Sequence, residues 1–262
     1  MWLTVDIGNS TIVGGLFEGY RLVHTFQRRT DASAPVSAYL DWLREGIAGR
    51  PVERAGLVSV VPALTGVMSE AIQGATGQSP LVVHHKLKLP VQMGYHTPET
   101  LGMDRLCGAA AAFNRHRQAV IVVDAGTALT FNVVDEQGVF LGGAITAGLE
   151  LILRSLHQDT ALLPEVNLQL PRYPVGRSTQ ACIQVGVLYG TIDLVTGLVQ
   201  RIRKHLKVDS KVILTGGWSA FLSQYLPVDE HDPHLVLHGV RLIMTLNTPA
   251  ETAVAEAQPA VS

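Results

Sequence analysis

Two stretches of the chain share one make-up: Val5-Asp6-Ile7-Gly8-Asn9-Ser10-Thr11 and Val123-Asp124-Ala125-Gly126-Thr127-Ala128-Leu129. In each, an apolar run ends in an aspartate, a glycine follows two residues on, and a second apolar run begins almost at once. Short apolar runs parted by such residues read as strands joined by a tight turn. One such hairpin constrains little. The same hairpin returning about half a chain later implies that the whole fold is duplicated.

The flanking segments agree. Strands are expected at 2–7, 11–17 and 21–27, then a helix at 37–49 and a buried strand over 55–64 stopped by Pro62. A short helix at 64–73, a strand at 81–85, a loop from Pro90 to Leu101 and a helix over 102–116 complete the first half. The order restarts with strands at 119–126, 128–134 and 139–145 and a helix near 147–157. An irregular loop with Pro164, Pro171 and Pro174 leads to a long helix at 178–206, a strand and turn at 212–217, and short helices at 218–225 and 238–246. The expected fold is α/β, with two duplicated lobes, 1–117 and 118–248, and a cleft between them. The tail, 249–262, has low complexity and is expected to be disordered.

Composition narrows the partners. A length of 262 residues suits two small domains. The net charge of −2 lacks the basic excess that nucleic acid or an anionic membrane selects. No uninterrupted apolar run approaches the ~20 residues of a membrane span, and the N-terminus enters a strand without a leader-like segment. Cys107 and Cys182 are far apart, which fits a reducing cytoplasm.

Each repeated turn places a carboxylate at a strand end, then a glycine that lets backbone N–H groups approach a ligand. Such N–H groups bind anions, but a carboxylate beside them repels phosphate unless a cation lies between. Either turn alone equals an ordinary hairpin; the matched pair favours a metal–phosphate site. Leu214-Thr215-Gly216-Gly217 adds a strand exit that lets the chain pass close to a flat ligand such as a nucleoside. No G-x-x-x-x-G-K-[ST] loop is present. No Lys or Arg lies in 1–20, 118–153 or 212–240, which hold all three turns. A bound polyphosphate would therefore need a divalent ion such as Mg²⁺, a monovalent ion beside Asp124, or a base from elsewhere in the chain.

Gly102-Met103-Asp104-Arg105 sets an acid and a base at a helix start. Asp104 fits a helix cap or a general base for phosphoryl transfer; Arg105 fits a surface charge or a clamp on a substrate carboxylate. The remaining candidates read as structural. His84 and His85 would point to opposite faces of a strand, and His231-Asp232-Pro233-His234 reads as a loop. Both cysteines read as packed helix residues. Gly186, Gly190 and Gly197 each cost the long helix about 1 kcal/mol against Ala, which close helix packing would offset.

Taken in order, DIGNST, GMDR, DAGTALT, GGAITAG, GRSTQACIQVG and TGG resemble the type III pantothenate kinases over roughly residues 2–246. The resemblance implies an actin/hexokinase/Hsp70-like fold built from two ribonuclease H-like lobes. It implies ATP-dependent phosphorylation of pantothenate to 4′-phosphopantothenate, the first step toward coenzyme A. It also implies Mg²⁺, a monovalent cation (K⁺ or NH₄⁺) and a homodimer; the cytoplasm, with neither nucleic acid nor membrane as partner, is the expectation from composition above. Carried onto this chain, Asp6, Ile7, Gly8, Asn9, Ser10, Thr11, Ile12 and Val13 resemble the phosphate loop, with Asp6 near the divalent ion. Thr127, Gly216 and Gly217 resemble further ATP contacts, and Asp124 the monovalent-cation ligand. Asp104 resembles the base that accepts the pantothenate hydroxyl proton. Tyr95, Gly102, Met103, Arg105 and Thr179 resemble the pantothenate pocket. Two departures stand out: Ala147 where proline is common, and Ser10 where threonine is common. The long glycine-bearing helix resembles the family's dimer contact.

Two other readings compete. The Bordetella accessory factor is similar in sequence, so a regulatory or binding role without kinase activity is the main alternative; intact Asp6, Asp104, Arg105 and Asp124 speak against it. A phosphatase or polyphosphate hydrolase on the same fold is the other, and the GMDR segment after Tyr95 favours an organic acceptor over water.

Overall fold

The computed structural model describes residues 1–248; the expected tail, 249–262, lies outside the described residues. The chain forms two compact units. The first takes Met1–Gln92, His96–Asn114 and the segment from Leu235 on; the second takes Met93–Tyr95 and Arg115–His234.

The first unit is built on a five-stranded sheet of order β3-β2-β1-β4-β5. Its strands are β1 Trp2–Ile7, β2 Thr11–Glu18, β3 Arg21–Arg29, β4 Arg54–Ser59 and β5 Leu81–Val82. The hairpin strands β1, β2 and β3 pair antiparallel, and β1 pairs β4 in parallel. Central β1 is buried at every residue but Asp6, as befits a strand covered on both faces. One face packs Leu3, Val5, Ile7, Ile12 and Leu57 against α1 Val36–Ile47 and α2 Pro62–Thr76. On the other, Gly15 and Gly56 leave room for Leu237, Val240 and Met244 of α7 Leu235–Leu246. Helix α3, Met103–His116, completes this face: the backbone of Cys107 touches Gly239 so closely that a Cβ there would lie 2.0 Å from its carbonyl oxygen.

The second unit holds a six-stranded sheet of order β11-β10-β7-β8-β9-β6. Here β6 is Gln92–Met93, β7 Val120–Ala125, β8 Ala128–Val134, β9 Val139–Ala147, β10 Lys211–Thr215 and β11 Glu230–His231. Its core joins Ile121, Val123, Phe131 and Leu214 to Ile183, Val187 and Leu188 of α5 Thr179–Leu206, with α4 Leu149–Gln158 and α6 Ser219–Leu222 nearby. The pattern β1-β2-β3 of the first sheet recurs as β7-β8-β9 of the second, both antiparallel.

Several expectations needed revision. Pro62 does more than stop a strand: β4 ends at Ser59 and Pro62 opens α2, where its missing N–H costs nothing. Strand β5 ends at Val82, so His84 and His85 follow it and share no strand. Cys182 is exposed, not packed. A Cβ on Gly186, Gly190 or Gly197 would meet nothing within 4 Å, so no helix of the described residues packs closely there. Helix α5 is also long and apolar enough to cross a membrane by length and composition. Its Ile183, Val187, Leu188, Val195 and Val199 nevertheless pack into the core of the second unit, as in a core helix of a folded domain.

Candidate active site

In the first unit the β1–β2 turn is held from two sides. Gly8 N–H donates to the Thr11 carbonyl at 3.0 Å inside the turn. Thr30, just past β3, clamps it from outside: its hydroxyl donates to the Gly8 carbonyl at 2.7 Å and its N–H to the Ser10 carbonyl at 3.0 Å. Asn9, Ser10 and Thr11 are exposed, whereas the side chains of Ile7 and Ile12 lie in the core. Those two residues can therefore offer a ligand only backbone. Oδ1 of Asp6 is shielded from solvent.

The start of α3 comes to the same end of the sheet. Val60 N–H donates to the Ile7 carbonyl at 3.0 Å, and its side chain lies 3.6 Å from where a Gly102 Cβ would be. That Cβ would also sit 2.7 Å from Asp104 Oδ1, so glycine makes room for the carboxylate. Asp104 Oδ1 accepts the Arg105 N–H at 2.7 Å. Burial raises the Asp104 carboxyl above the usual range, against the opposing pull of the Arg105 N–H and the Arg105 charge. Cys107 reports the proximity of both acids: burial first, then the charges of Asp6 and Asp104, push its thiol well up. Met103 and Arg105 are buried.

In the second unit the β7–β8 turn has matching parts. Gly126 N–H donates to the Ala128 carbonyl at 3.1 Å, and Gly148 N–H to the Thr127 carbonyl at 3.0 Å. A Cβ on Gly148 would lie 2.2 Å from the Gly126 carbonyl oxygen, so only glycine fits beside the turn. Gly216, at φ +93, passes over Asp124 so closely that a Cβ would meet its Oδ1 at 2.3 Å. Ser219 secures this passage. Its hydroxyl donates to the Gly216 carbonyl at 2.5 Å, leaving the oxygen to accept from His231 Nε2 at 2.9 Å. Gly217 is exposed.

Thr179 opens α5 behind the Ser178 cap and lines an apolar cavity of about 400 Å³ with Thr146, Ala147, Gly186 and Gly190. Tyr95 lies in this unit, beside Phe140 and against Gly142. Asp6–Val13 and Gly102–Arg105 thus belong to the first unit, and Tyr95, Asp124, Thr127, Thr179, Gly216 and Gly217 to the second. The sequence reading overlooked Thr30, Val60, Ser219 and His231 as supports; none stands in a motif, and Thr30 and Val60 reach partners distant in sequence.

Among the described residues no three His, Cys, Asp or Glu side chains cluster to hold an ion. Asp6 and Asp124 are instead single carboxylates beside glycine turns. At Asp6, in the first unit, a single carboxylate of this kind suits Mg²⁺, which keeps waters and substrate phosphates as most of its ligands.

The profile of the type III pantothenate kinase family matches residues 2–201. A type III pantothenate kinase from Citrifermentans bemidjiense is 35% identical over 253 residues, covering 94% of this chain and all of its own length. Among solved structures, a conserved Baf family protein from Campylobacter jejuni is similar with a TM-score of 0.61 at 20% identity, covering 93% of this chain and 97% of its own. An inorganic polyphosphate/ATP-glucomannokinase from an Arthrobacter species is similar with a TM-score of 0.51 at 13% identity, covering 94% and 99%. At those identities the structures share the fold alone, the actin/ribonuclease H-like fold of two related lobes.

Proposed function

The chain belongs to the type III pantothenate kinase family, and from that premise we propose that it transfers the γ-phosphoryl group of ATP to the primary hydroxyl of pantothenate. The product is 4′-phosphopantothenate, on the route to coenzyme A. The observation that carries this reading is Asp104: a half-buried carboxylate at the start of a helix, beside Arg105 and close to Asp6, with its pKa raised by desolvation. A base in that state accepts a hydroxyl proton more readily than an exposed aspartate does.

In this reading the hydroxyl oxygen attacks the γ-phosphorus in line, its proton passes to an Asp104 oxygen, and ADP leaves. The Gly8–Thr11 turn offers backbone N–H groups to the phosphates, held in shape by Thr30. Thr127 and the Gly216–Gly217 passage contact the rest of the nucleotide. Gly102, Met103, Arg105, Tyr95 and Thr179 bind pantothenate, with Arg105 facing its carboxylate. Asp6 would hold the divalent ion and Asp124 a monovalent one, K⁺ or NH₄⁺. Bound there, the ions neutralise phosphate charge, a task no Lys or Arg within the three turns can perform.

The chain acts as a cytoplasmic homodimer in this reading, with the main lobe division near residue 117 and α7 returning to the first unit. The open glycine face of α5, with half-exposed Leu194 beside it, supports a second copy as its cover; an apolar face left bare would favour association. Two free cysteines support a reducing compartment. Neither nucleic acid nor membrane is a partner.

The test is phosphopantothenate formation from ATP, pantothenate and Mg²⁺, in sodium against potassium or ammonium. Turnover that is faster in potassium or ammonium is expected. Turnover indifferent to the monovalent ion would remove the role given to Asp124. A folded chain that forms no product under any ion would refute the kinase reading.

A further inference from the structure

The three glycine turns carry no basic side chain, yet a triphosphate brings several negative charges. The register of the first sheet shows where a base lies. Gly15 and Gly56 pair with Thr4 and face α7, so Thr4 faces α7 as well. Side chains alternate along a strand, so Asp6 is on that same face. Its cross-strand partners are Val13 and then Gln27. Two residues further along β3 comes Arg29, paired with Thr11 at the edge of the turn. Arg29 and Asp6 therefore project from one face of the sheet, and Arg29 is the cross-strand neighbour of the residue that closes the turn. Paired residues of this kind have Cβ atoms about 5 Å apart.

Arg28 is the contrast. It lies on the opposite face, where its guanidinium stacks on Tyr39 at 4.5 Å and donates to the Ala38 carbonyl at 2.8 Å. Arg29 is exposed, its backbone is paired with Thr11, and among the described residues its side chain makes no ion pair or hydrogen bond. The nearest acid in sequence, Asp31, is taken up by the Ser33 hydroxyl and N–H. Thr30 then ties the end of β3 to both the Gly8 and Ser10 carbonyls. Arg29 is thus anchored beside the turn while its long side chain stays unengaged.

We propose that Arg29 is the cationic contact for the phosphate groups of the nucleoside triphosphate bound at the Gly8–Thr11 turn. The proposal rests on the kinase reading for the identity of the ligand, and on strand register alone for the place of the charge. A guanidinium there reaches phosphate oxygens with charge-assisted hydrogen bonds and supplies from β3 the positive charge that the turns lack.

The experiment compares wild type with R29A, R29K and R28A. Two readouts are taken at low and high salt: binding of inorganic tripolyphosphate by calorimetry, and KM for ATP and for pantothenate in the kinase assay. R29A is expected to weaken tripolyphosphate binding and raise KM for ATP by about tenfold at low salt. KM for pantothenate should hold, the salt dependence should flatten, and R29K should recover part of the loss. Tripolyphosphate binding within about twofold of wild type in R29A would overturn the proposal, as would an equal loss in R28A. A wild type that binds tripolyphosphate through Arg29 but forms no phosphopantothenate would sink the kinase reading and keep Arg29.

Discussion

Gly239→Ala tests whether α7 and α3 meet as closely as described. A Cβ at 239 would stand 2.0, 2.3 and 2.7 Å from the carbonyl oxygen, carbonyl carbon and Cα of Cys107. All three atoms are backbone of a packed helix, so no side chain can swing aside. Overpacking of this kind costs about 1–3 kcal/mol, while Ala in place of Gly inside a helix returns about 1 kcal/mol. The net loss expected is about 0–2 kcal/mol, or a fall of up to about 8 °C in Tm for a chain of this size. Gly186→Ala is the matched control, because its Cβ would meet nothing within 4 Å; there the propensity gain of about 1 kcal/mol stands alone in the single chain. Urea unfolding of both variants at low protein concentration reads the difference. If Gly239→Ala stabilises the chain as much as Gly186→Ala does, the α3–α7 contact is wrong. Separation of α7 from Cys107 would also loosen the helix that carries Asp104, so turnover should fall with stability.

Other perturbations bear on the site and its support. Asp104→Asn should lower turnover by orders of magnitude with little change in substrate binding; near-normal turnover would sink the general-base role. The same variant should be more stable than wild type at neutral pH. A carboxyl whose folded pKa is raised contributes stability below its unfolded pKa of 3.8, and loses it as pH rises through the folded value. Unfolding curves across that range check the sign. Gly216→Ala should cost about 1–2 kcal/mol for the left-handed backbone alone, and should disturb Asp124, whose Oδ1 would be 2.3 Å from the new Cβ; loss of the potassium or ammonium response is the readout. Arg241 is 2% exposed, lies 3.4 Å over the Trp2 ring and donates to the Gly19 carbonyl at 3.1 Å. Arg241→Ala should therefore destabilise by about 2–4 kcal/mol, measured by urea unfolding; a loss under about 1 kcal/mol would show that the stacking contributes little.

The hairpin turns at Gly8 and Gly126, the helix start at Asp104 and the strand exit at Gly216 were all legible in the chain. Each is a local matter: a glycine where the backbone turns or is approached, an acid at the first turn of a helix, apolar runs with the period of a strand. Strands β6 and β11 were not legible. At two residues each they carry no period, and they exist because β9 and β10 offer them an edge. Cys182 reads as a buried helix residue by type, yet it is exposed beside an apolar cavity. Its burial depended on what stands opposite α5, which no local pattern encodes. What faces the three glycines of α5 is likewise not encoded locally: in the single chain nothing stands within 4 Å of a Cβ placed there.

By itself the sequence determined the repeated strand–turn–strand units, the acids at their ends and the absence of bases within the turns, because backbone dihedrals and side-chain alternation act over a few residues. Tertiary structure alone decided that α7, last in order, covers β1 and β4 near the beginning, with Gly15 and Gly56 hollowed to receive it. It decided that Asp6 and Asp104 share the surroundings of Cys107, that Thr30 clamps a turn some twenty residues before it, and that Arg28 and Arg29 serve opposite faces. These outcomes depend on pairing register and on burial between segments far apart in the chain, where one residue of slip exchanges every inward side chain for an outward one.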